Sequence, residues 1–429
     1  MEGIRNMEKV CNFRMLLRVF IAFIVIATCL AQTAFALDLY NYDELLSKLR
    51  KNHLLQDKDI AEIKSSYPNL EILGSLQLQY STTKDFGADR ISDLYLRRVN
   101  LTIVGNVSEK ASFVFQPEYG RGEPSIKDAY FAYKRPTVEM IAGNHLVPFG
   151  ADTLKNDIYL PFVERNLASR ISPDRLPGAS ITARMLNSKL LVQAGVWNGN
   201  LNSNAEANLI NNILADNQVF SASSGTTGSN ILVQAVRIGF YSKGRDDFYS
   251  QDHEQDGEEN FNGGKSFGVG LSYYTSASVN KNLAANGLTG LNGAKAYEGD
   301  LSFRLWRFTG EVEYAKRTLD WWQYNFAQTT SVAVGSEQTS SSAQLSCLLI
   351  GNLSLSVRQD DFAYDSKGKV LKGTHGQDKD KSMTAGLNYY FKEQHTKIQA
   401  NYVKKDELMP AGTSASKSSA ALVQVTTFF

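Results

Sequence analysis

Residues 381–391 read KSMTAGLNYYF, and their polarity alternates from one residue to the next. The apolar face would carry Met383, Ala385, Leu387, Tyr389 and Phe391. The other face would carry Thr384, Gly386, Asn388 and Tyr390. Because successive side chains of a β-strand point to opposite faces, the stretch predicts a strand with one apolar face. Its length is what a tilted strand needs to cross a bilayer, about ten residues.

The same period of two recurs from Leu70 to Phe429. EILGSLQLQYS (71–81), RRVNLTIVG (97–105) and SFGVGLSYY (266–274) are further examples. The predicted strands lie near 70–81, 93–105, 110–119, 126–134, 137–144, 178–186, 189–197, 230–242, 265–275, 296–305, 307–317, 339–350, 352–363, 381–392, 395–404 and 418–429. An even number of about sixteen such segments predicts an all-β fold, a transmembrane antiparallel β-barrel.

A soluble β-sandwich would also alternate, but three features favour a membrane barrel. The polar face is rich in glycine, serine, amides and charges, as expected of a wet lumen. Short and long connections alternate along the chain, as periplasmic turns and outer loops do. Aromatic residues cluster at strand ends, as in an aromatic girdle: Tyr80, Tyr119, Tyr241, Tyr273, Tyr274, Tyr389, Phe391 and Tyr402. The chain also ends in an aromatic residue, Phe429, a signal typical of assembled outer-membrane barrels.

One connection breaks the rhythm of short and long turns. Residues 243–264 should form a periplasmic turn, yet they are long and strongly acidic. Either the turn folds into the pore or a strand pair is missing from the prediction. Within it, DHEQDGEEN (252–260) resembles the start of a calcium loop, but Gly263 replaces the closing glutamate. We therefore read a solvated acidic turn and predict no metal site.

The N-terminus predicts export. Basic residues precede the apolar run VFIAFIVIATCL, and AFA follows at 34–36, as in a cleaved secretory signal. An uncleaved anchor is the alternative, but the run is short for one. We therefore assign 1–36 to a signal peptide, 37–66 to a short α-helical periplasmic segment with apolar residues at helical spacing, and 67–429 to the barrel. The mature chain would keep one cysteine, Cys347, which excludes a disulfide framework.

A long charged segment interrupts the strands in the first half of the barrel. GNHLVPFGADTLKNDIYLPFVERNLASR (143–170) has no consistent strand or helix period. A structureless insert of this length is usually functional or disordered, and its aromatic residues argue against disorder. Pro148 and Pro161 cannot donate to a strand ladder. We therefore predict a packed loop over residues 145–177.

Several motifs resemble the phosphate-selective porin O/P family. They are RRVNLTIVG, KDAYFAYK, GNHLVPFG, FVERN and VWNGN, and their order and spacing are similar to the family pattern. The resemblance implies a homotrimer of 16-stranded barrels in the outer membrane. It also implies that the loop 145–177 folds inward and narrows the pore. The lysine that often precedes PFG in this family is absent here, where His145 and Leu146 stand.

The resemblance places several charges along the path of a solute. The predicted constriction carries Lys155, Glu164, Arg165, Arg170 and Arg175. The predicted pore wall carries Arg98, Arg184, Arg237, Arg304 and Arg358. Acidic residues on the same faces oppose them: Glu118, Asp128, Glu139, Glu298, Asp300, Glu311 and Glu313. The wall is therefore expected to be mixed, with many charges paired across strands.

These observations favour a passive diffusion channel for small hydrophilic solutes, with a preference for anions such as phosphate left open. The alternatives are a barrel that acts as an adhesin or structural protein and, less favoured, an outer-membrane enzyme. None of the five histidines falls in a recognisable catalytic motif, so we predict no enzyme and no cofactor. A net charge of +1 gives no nucleic-acid signature. The expected partners are small solutes, outer-membrane lipid and further copies of the chain.

Overall fold

The computed structural model describes residues 69–84, 90–120, 123–200, 230–243, 265–278, 290–325, 330–366, 379–391, 396–408 and 416–428. The chain divides into two compact units, residues 68–426 and residues 1–67 with 427–429. The predicted signal peptide and helical segment, most of the acidic turn (244–264) and Phe429 lie outside the described residues. In the part of the chain that is described, no helix is long and apolar enough to cross a membrane.

Sixteen strands are present among the described residues. They are β1 (Asn69–Lys84), β2 (Ile91–Asn106), β3 (Ala111–Gly120), β4 (Glu123–Lys134), β5 (Val138–Leu146), β6 (Arg175–Met185), β7 (Leu190–Asn200), β8 (Asn230–Tyr241), β9 (Lys265–Ser278), β10 (Gly290–Leu305), β11 (Phe308–Asn325), β12 (Thr330–Ile350), β13 (Leu353–Ser366), β14 (Lys379–Tyr390), β15 (Thr396–Leu408) and β16 (Ser416–Phe428). Each pairs with its neighbours in sequence, and β1 meets β16 to close the barrel. The predicted 16-stranded barrel is confirmed.

The two faces of each strand differ as the sequence predicts. In β14, Met383 and Leu387 are exposed on the outside, whereas Ser382, Thr384 and Asn388 are buried on the inside. Leucine, phenylalanine, valine and tyrosine side chains lie exposed on the outer face of most other strands. A contiguous apolar exterior is the surface that lipid tails would cover. The charged and amide side chains therefore point into the lumen.

Several strands are longer than the sequence pattern predicts. The connection expected at 318–338 is mostly strand, because β11 extends to Asn325 and β12 begins at Thr330. In the added part of β11 the adjacent residues Trp321 and Trp322 break the alternation of apolar and polar residues, so the pattern carries no strand signal there. The antiparallel hydrogen-bond ladder needs only backbone groups and continues without it. For the acidic turn, β8 pairs directly with β9, so the described residues contain no extra strand pair between them.

Two β-bulges change which residues face the lumen. Between β1 and β2, Gln77 pairs with Arg98 and the next pair skips Arg97. Between β3 and β4, the ladder likewise skips Lys127. A bulge inserts one extra residue and breaks strict alternation. Arg97 and Arg98 therefore both reach inward, and so do Lys127 and Asp128.

Candidate functional site

The segment between β5 and β6, residues 147–174, is a buried loop inside the ring of strands. Most of its side chains are covered. It contains two 3₁₀ turns, Asp157–Tyr159 and Leu167–Ile171. The side chains of Asn156 and Asn166 cap these turns by accepting bonds from backbone amides, at 3.3 and 3.0 Å. Local capping thus gives the loop fixed turns without a helix or a strand.

The loop turns at Gly150 and docks on β11. Gly150 has a φ of +81°, and a Cβ there would lie 3.2 Å from a carboxylate oxygen of Glu313, so only glycine fits without strain. The Glu313 carboxylate accepts bonds from the backbone amides of Ala151 and Asp152, at 3.1 and 3.4 Å. It also accepts a bond of 2.8 Å from the Asn166 side chain. One buried carboxylate therefore joins both limbs of the loop to the wall.

The first turn of the loop is held by three cations around Asp157. Arg98 lies 3.3 Å and Lys127 2.5 Å from its carboxylate, and Arg165 forms a further ion pair with it. Burial alone would raise the pKa of Asp157, but these cations outweigh it and hold that pKa well below its usual range. Burial lowers and the carboxylates raise the pKa of Arg165, with a net increase. Both groups are therefore charged at neutral pH.

Two other loop cations pair with carboxylates on β11 and β14, on the same side of the wall. Lys155 Nζ lies 2.5 Å from Glu311 of β11. Arg170 lies 2.8 Å from Asp380 of β14, and its guanidinium carbon is 5.5 Å from the ring centroid of Phe362 on β13. These contacts hold the loop against one side of the barrel interior.

The middle of the loop is bound by β15 through its backbone. The carbonyl oxygen of Leu160 accepts bonds from Lys397 (2.7 Å) and Gln399 (3.0 Å). The amide of Val163 donates to the Asn401 side chain at 2.7 Å. Polar wall residues thus satisfy backbone groups that the irregular loop leaves unpaired.

Phe162 fills a gap that glycine leaves on the inner face of β14. A Cβ on Gly386 would lie 3.4 Å from the Phe162 ring and 2.5 Å from the amide nitrogen of Asn401. The guanidinium carbon of Arg358 on β13 lies 4.6 Å from the centroid of the same ring. This geometry is a cation–π contact in a desolvated setting.

Glu164 of the loop contacts both β2 and β13. Its carboxylate binds Arg97 on β2, with 2.6 Å between Oε2 and Nη2. Arg358 on β13 donates to the carbonyl oxygens of Glu164 (2.9 Å) and Arg165 (3.2 Å) and also pairs with Asp360. β2 and β13 are not neighbours in the ring, since β1, β16, β15 and β14 lie between them on the shorter way around. The loop therefore spans the lumen at this level.

The last turn of the loop packs on β9 and β11. The carbonyl oxygen of Ile171 accepts bonds from Tyr274 (3.0 Å) and Arg317 (3.4 Å). The rings of Phe149 and Tyr274 lie edge to face with centroids 4.9 Å apart. The turn Leu167–Ile171 also packs on β12. Together, the loop contacts β2, β4, β9, β11, β12, β13, β14 and β15.

The structure gives each predicted loop charge an ionic partner. Lys155, Arg165, Arg170 and Glu164 pair as described above. Arg175, the first residue of β6, lies 3.0 Å from Asp128 and 3.2 Å from Asp174.

The predicted wall arginines lie on the inner row and are also engaged. Arg98, at the first turn of the loop, and Arg358, over Phe162, both contact the loop. Arg184 pairs with Glu139 at 2.6 Å, and Arg237 pairs with Glu298 and Asp300. Arg304 is buried in the inner row of β10.

Exposure is uneven within the loop's ion pairs. Arg165 is 19% exposed and Asp157 4%, and Arg170 is 25% exposed and Asp380 5%. Lys155 is likewise more exposed than Glu311. The reverse case is Glu164, which is 45% exposed while its partner Arg97 is buried. Asp174, at the end of the loop, is also more exposed than its partner Arg175. For Lys155, Arg165 and Arg170 the lumen therefore meets mainly the positive member of the pair, and Glu164 and Asp174 are the negative exceptions.

The sequence pattern missed two of the residues that hold the loop, Arg97 and Lys127. Strict alternation assigns Arg97 and Lys127 to the lipid face. A signal was present in the sequence. In a regular strand, two adjacent charged residues such as Arg97 and Arg98, or Lys127 and Asp128, point to opposite faces, so one of each pair would face lipid. A charged pair inside an otherwise alternating strand thus predicts a bulge.

A closed barrel of sixteen antiparallel strands, with an apolar exterior, a charged interior and a loop folded across the lumen, defines the class of outer-membrane porins. Residues 71–281 match the model of the phosphate-selective porin O and P family, the family that the sequence motifs resemble. With this match and the porin fold, the chain is an outer-membrane diffusion channel. No curated protein sequence matches the chain.

Solved structures show the same fold at low sequence identity. The outer membrane channel DcaP of Acinetobacter baumannii is 10% identical, with a TM-score of 0.52 over 84% of this chain and 97% of that one. The anion-selective porin from Comamonas acidovorans is 12% identical, with a TM-score of 0.50 over 84% and 98%. The trimer form of OmpT, an outer membrane protein of Vibrio cholerae, is 11% identical, with a TM-score of 0.50 over 85% and 100%.

Proposed function

We propose that the channel prefers anions and that loop 147–174 forms its constriction. The observation that carries this proposal is the uneven exposure of the ion pairs: Lys155, Arg165 and Arg170 face the lumen more than their acidic partners do. A narrow aqueous path between low-dielectric walls weakens screening, so charges there outweigh charges elsewhere. Small inorganic anions, phosphate among them, are the solute class that this surface would favour.

The remaining proposed site residues act on the edge of this path. Arg175 lies where the loop joins β6, and Arg184 and Arg237 contribute to the wall. Their close carboxylate partners reduce the field that a solute would feel. We therefore expect the wall to matter less for selectivity than the loop does.

The test is ion selectivity in planar bilayers. Purified protein in a potassium chloride gradient should give a reversal potential on the anion side. Replacement of Arg165 and Arg170 by alanine should move that potential toward cations. An Arg184→Ala variant is the matched control, since it removes a wall arginine away from the loop. A double variant that keeps the wild-type reversal potential would exclude the loop as the narrowest part of the path.

The same recordings separate the channel from an adhesin or a barrel enzyme. A porin gives discrete conductance steps at low protein concentration, whereas a non-conducting barrel gives none. A flat current from correctly folded, heat-modifiable protein would favour the adhesin.

We also propose that three copies assemble and that the chain is exported by a cleaved signal ending at Ala36. The match to the family model supports the homotrimer, and so does the likeness to the trimer form of OmpT. Mass measurement of the detergent-extracted protein tests both, because it gives the mature N-terminus and the copy number. Removal of residues 37–66 should leave a conducting barrel, since it removes none of the sixteen described strands.

A further inference from the structure

A group of buried carboxyls lies behind the loop on β10 and β11. Glu298 and Asp300 of β10 have fully buried side chains, and both bind Arg237 of β8, at 3.0 and 2.6 Å. The two residues are two positions apart on the same strand, so both side chains point to the inner face. Gly270 of β9 makes room for this arrangement, because a Cβ there would lie 2.1 Å from Arg237 and 2.3 Å from Asp300. One guanidinium thus pairs with two carboxyls, and all three side chains are buried.

Glu313 adds a third carboxyl directly across the strand ladder. It pairs in register with Asp300, so the two side chains are inward neighbours on β11 and β10. Glu313 is 1% exposed. Its donors are neutral: the backbone amides of Ala151 and Asp152 and the side chain of Asn166. Among the described residues, no lysine, arginine or histidine forms an ion pair with it.

The charged groups around these three carboxyls do not supply the missing positive charge. Each is a tyrosine, a cation that has another partner, or an acid balanced by its own cation. On the wall they are Tyr241 (which accepts a bond from Arg237), Arg304, Glu311 with Lys155, Arg317 with Gln338 and Ile171, and Asp360 with Arg358. On the loop they are Asp152 and Arg165, and Arg165 also serves Asp157. Ser272 of β9 and Ser342 of β12 face the site without charge.

A bound proton resolves this imbalance. A buried carboxylate without a countercharge costs several kcal/mol, so such groups take up a proton instead. Within the described part of the chain, Glu298 Oε1 and Asp300 Oδ1 are buried oxygens without a hydrogen-bond partner. An O–H group on one carboxyl would donate to such an oxygen on its neighbour and remove one negative charge.

We propose that the triad of Glu298, Asp300 and Glu313 holds one proton at neutral pH and that Glu313 is the positioning residue of the loop. With the proton bound, Glu313 stays buried and accepts the three bonds that hold both loop limbs. Loss of the proton leaves three carboxylates around Arg237. Their repulsion is relieved when the Glu313 side chain moves toward water in the lumen, and the bonds to Ala151, Asp152 and Asn166 are then lost. The attachment of the loop to β11 through Glu313 should therefore weaken at alkaline pH.

Infrared spectroscopy of the folded barrel tests the proton directly and does not depend on ion selectivity. The wild-type protein should show the carbonyl stretch of a protonated carboxylic acid at neutral pH, and this band should vanish as pH rises. Asp300→Asn and Glu298→Gln should each lose the band. Glu337→Gln is the matched control, because Glu337 is a half-buried carboxylate paired with Lys316 away from the triad. An absent band at neutral pH, or a band unchanged in both triad variants, would overturn the proposal.

Single-channel recording tests the role of Glu313 in holding the loop. Wild-type channels should become noisier and more conductive as pH rises through the alkaline range. Asp300→Asn should flatten this pH profile, because the amide keeps the shape and removes the need for a proton. Glu313→Gln should show high current noise at every pH. Glu313→Asp should show less noise than Glu313→Gln, because it keeps the carboxylate. Heat-modifiability confirms that each variant has folded. A pH profile that is the same in Asp300→Asn and wild type would refute the link between the triad and the loop.

Discussion

Arg358 lies over the ring of Phe162, with 4.6 Å between its guanidinium carbon and the ring centroid. The contact joins β13 to the middle of a loop that is almost two hundred residues earlier in the chain. Arg358 also donates to two loop carbonyl oxygens. It is therefore an anchor of the loop as well as a charge on the wall, which changes what its replacement is expected to do.

The first prediction concerns this anchor. Arg358→Ala should raise single-channel conductance and current noise, because the loop loses two charged hydrogen bonds, about 1.5–3 kcal/mol each. Arg184→Ala removes a wall arginine that has no loop contact among its described bonds and should change conductance little. Equal effects of the two replacements would show that Arg358 acts only as a lumen charge.

The second prediction concerns the exposed acid of the loop. Glu164→Gln should strengthen anion preference, because the Glu164 carboxylate, in the middle of the loop, is 45% exposed while its partner Arg97 is buried. We expect the anion-to-cation permeability ratio to rise by about twofold to tenfold, equivalent to about 0.4–1.4 kcal/mol. Reversal potentials in a salt gradient measure the ratio. Asp361→Asn, an acid paired with Lys379 and Lys381 on the outer face of the barrel, should leave the ratio near wild type.

The third prediction concerns packing at Gly386. Gly386→Val should displace Phe162 and Asn401 and so loosen the middle of the loop, because even a Cβ would come within 2.5 Å of Asn401. Larger, noisier channels should result, while the barrel still assembles. Gly299→Val is the control, since a Cβ there meets Leu271 at 3.4 Å and the Gly270 carbonyl oxygen at 3.9 Å, both ordinary contact distances. Normal, quiet conductance in Gly386→Val would mean that Phe162 does not hold the loop.

The fourth prediction concerns acid pH and Asp157. Its pKa is depressed in the folded state, so its contribution to stability is present above the unfolded pKa of about 3.9 and is lost as pH falls through the lower folded value. The first turn of the loop should therefore stay docked from neutral pH down to about pH 4, the value set by that unfolded pKa. Conductance noise recorded at stepwise lower pH measures this.

Asp157→Asn is the matched variant for the acid experiment. It leaves Arg98, Lys127 and Arg165 close together without their shared carboxylate. We expect it to show at neutral pH the noise that wild type shows only in strong acid. Wild-type noise that already rises at mildly acidic pH would contradict the depressed pKa.

The number, direction and inner face of the strands followed from the sequence alone. KSMTAGLNYYF and its counterparts alternate because lipid touches one side of each strand and water or polar groups touch the other. That requirement acts on every second residue and is visible locally. The alternation of apolar and polar residues is lost in the last part of β11, so the extension of this strand to Asn325 was not predicted.

The partners of the loop charges were decided only by the tertiary structure. Glu313 and Ala151 are 162 residues apart, and Arg358 and Glu164 are 194 apart, so no local pattern could pair them. The bulges at Arg97 and Lys127 depend on the register of two strands at once, and register is a property of the pair rather than of either sequence. The sequence determined that a charged loop lies between β5 and β6. Barrel closure determined which side of each ion pair faces the lumen, because closure alone brings distant strands within reach of one loop.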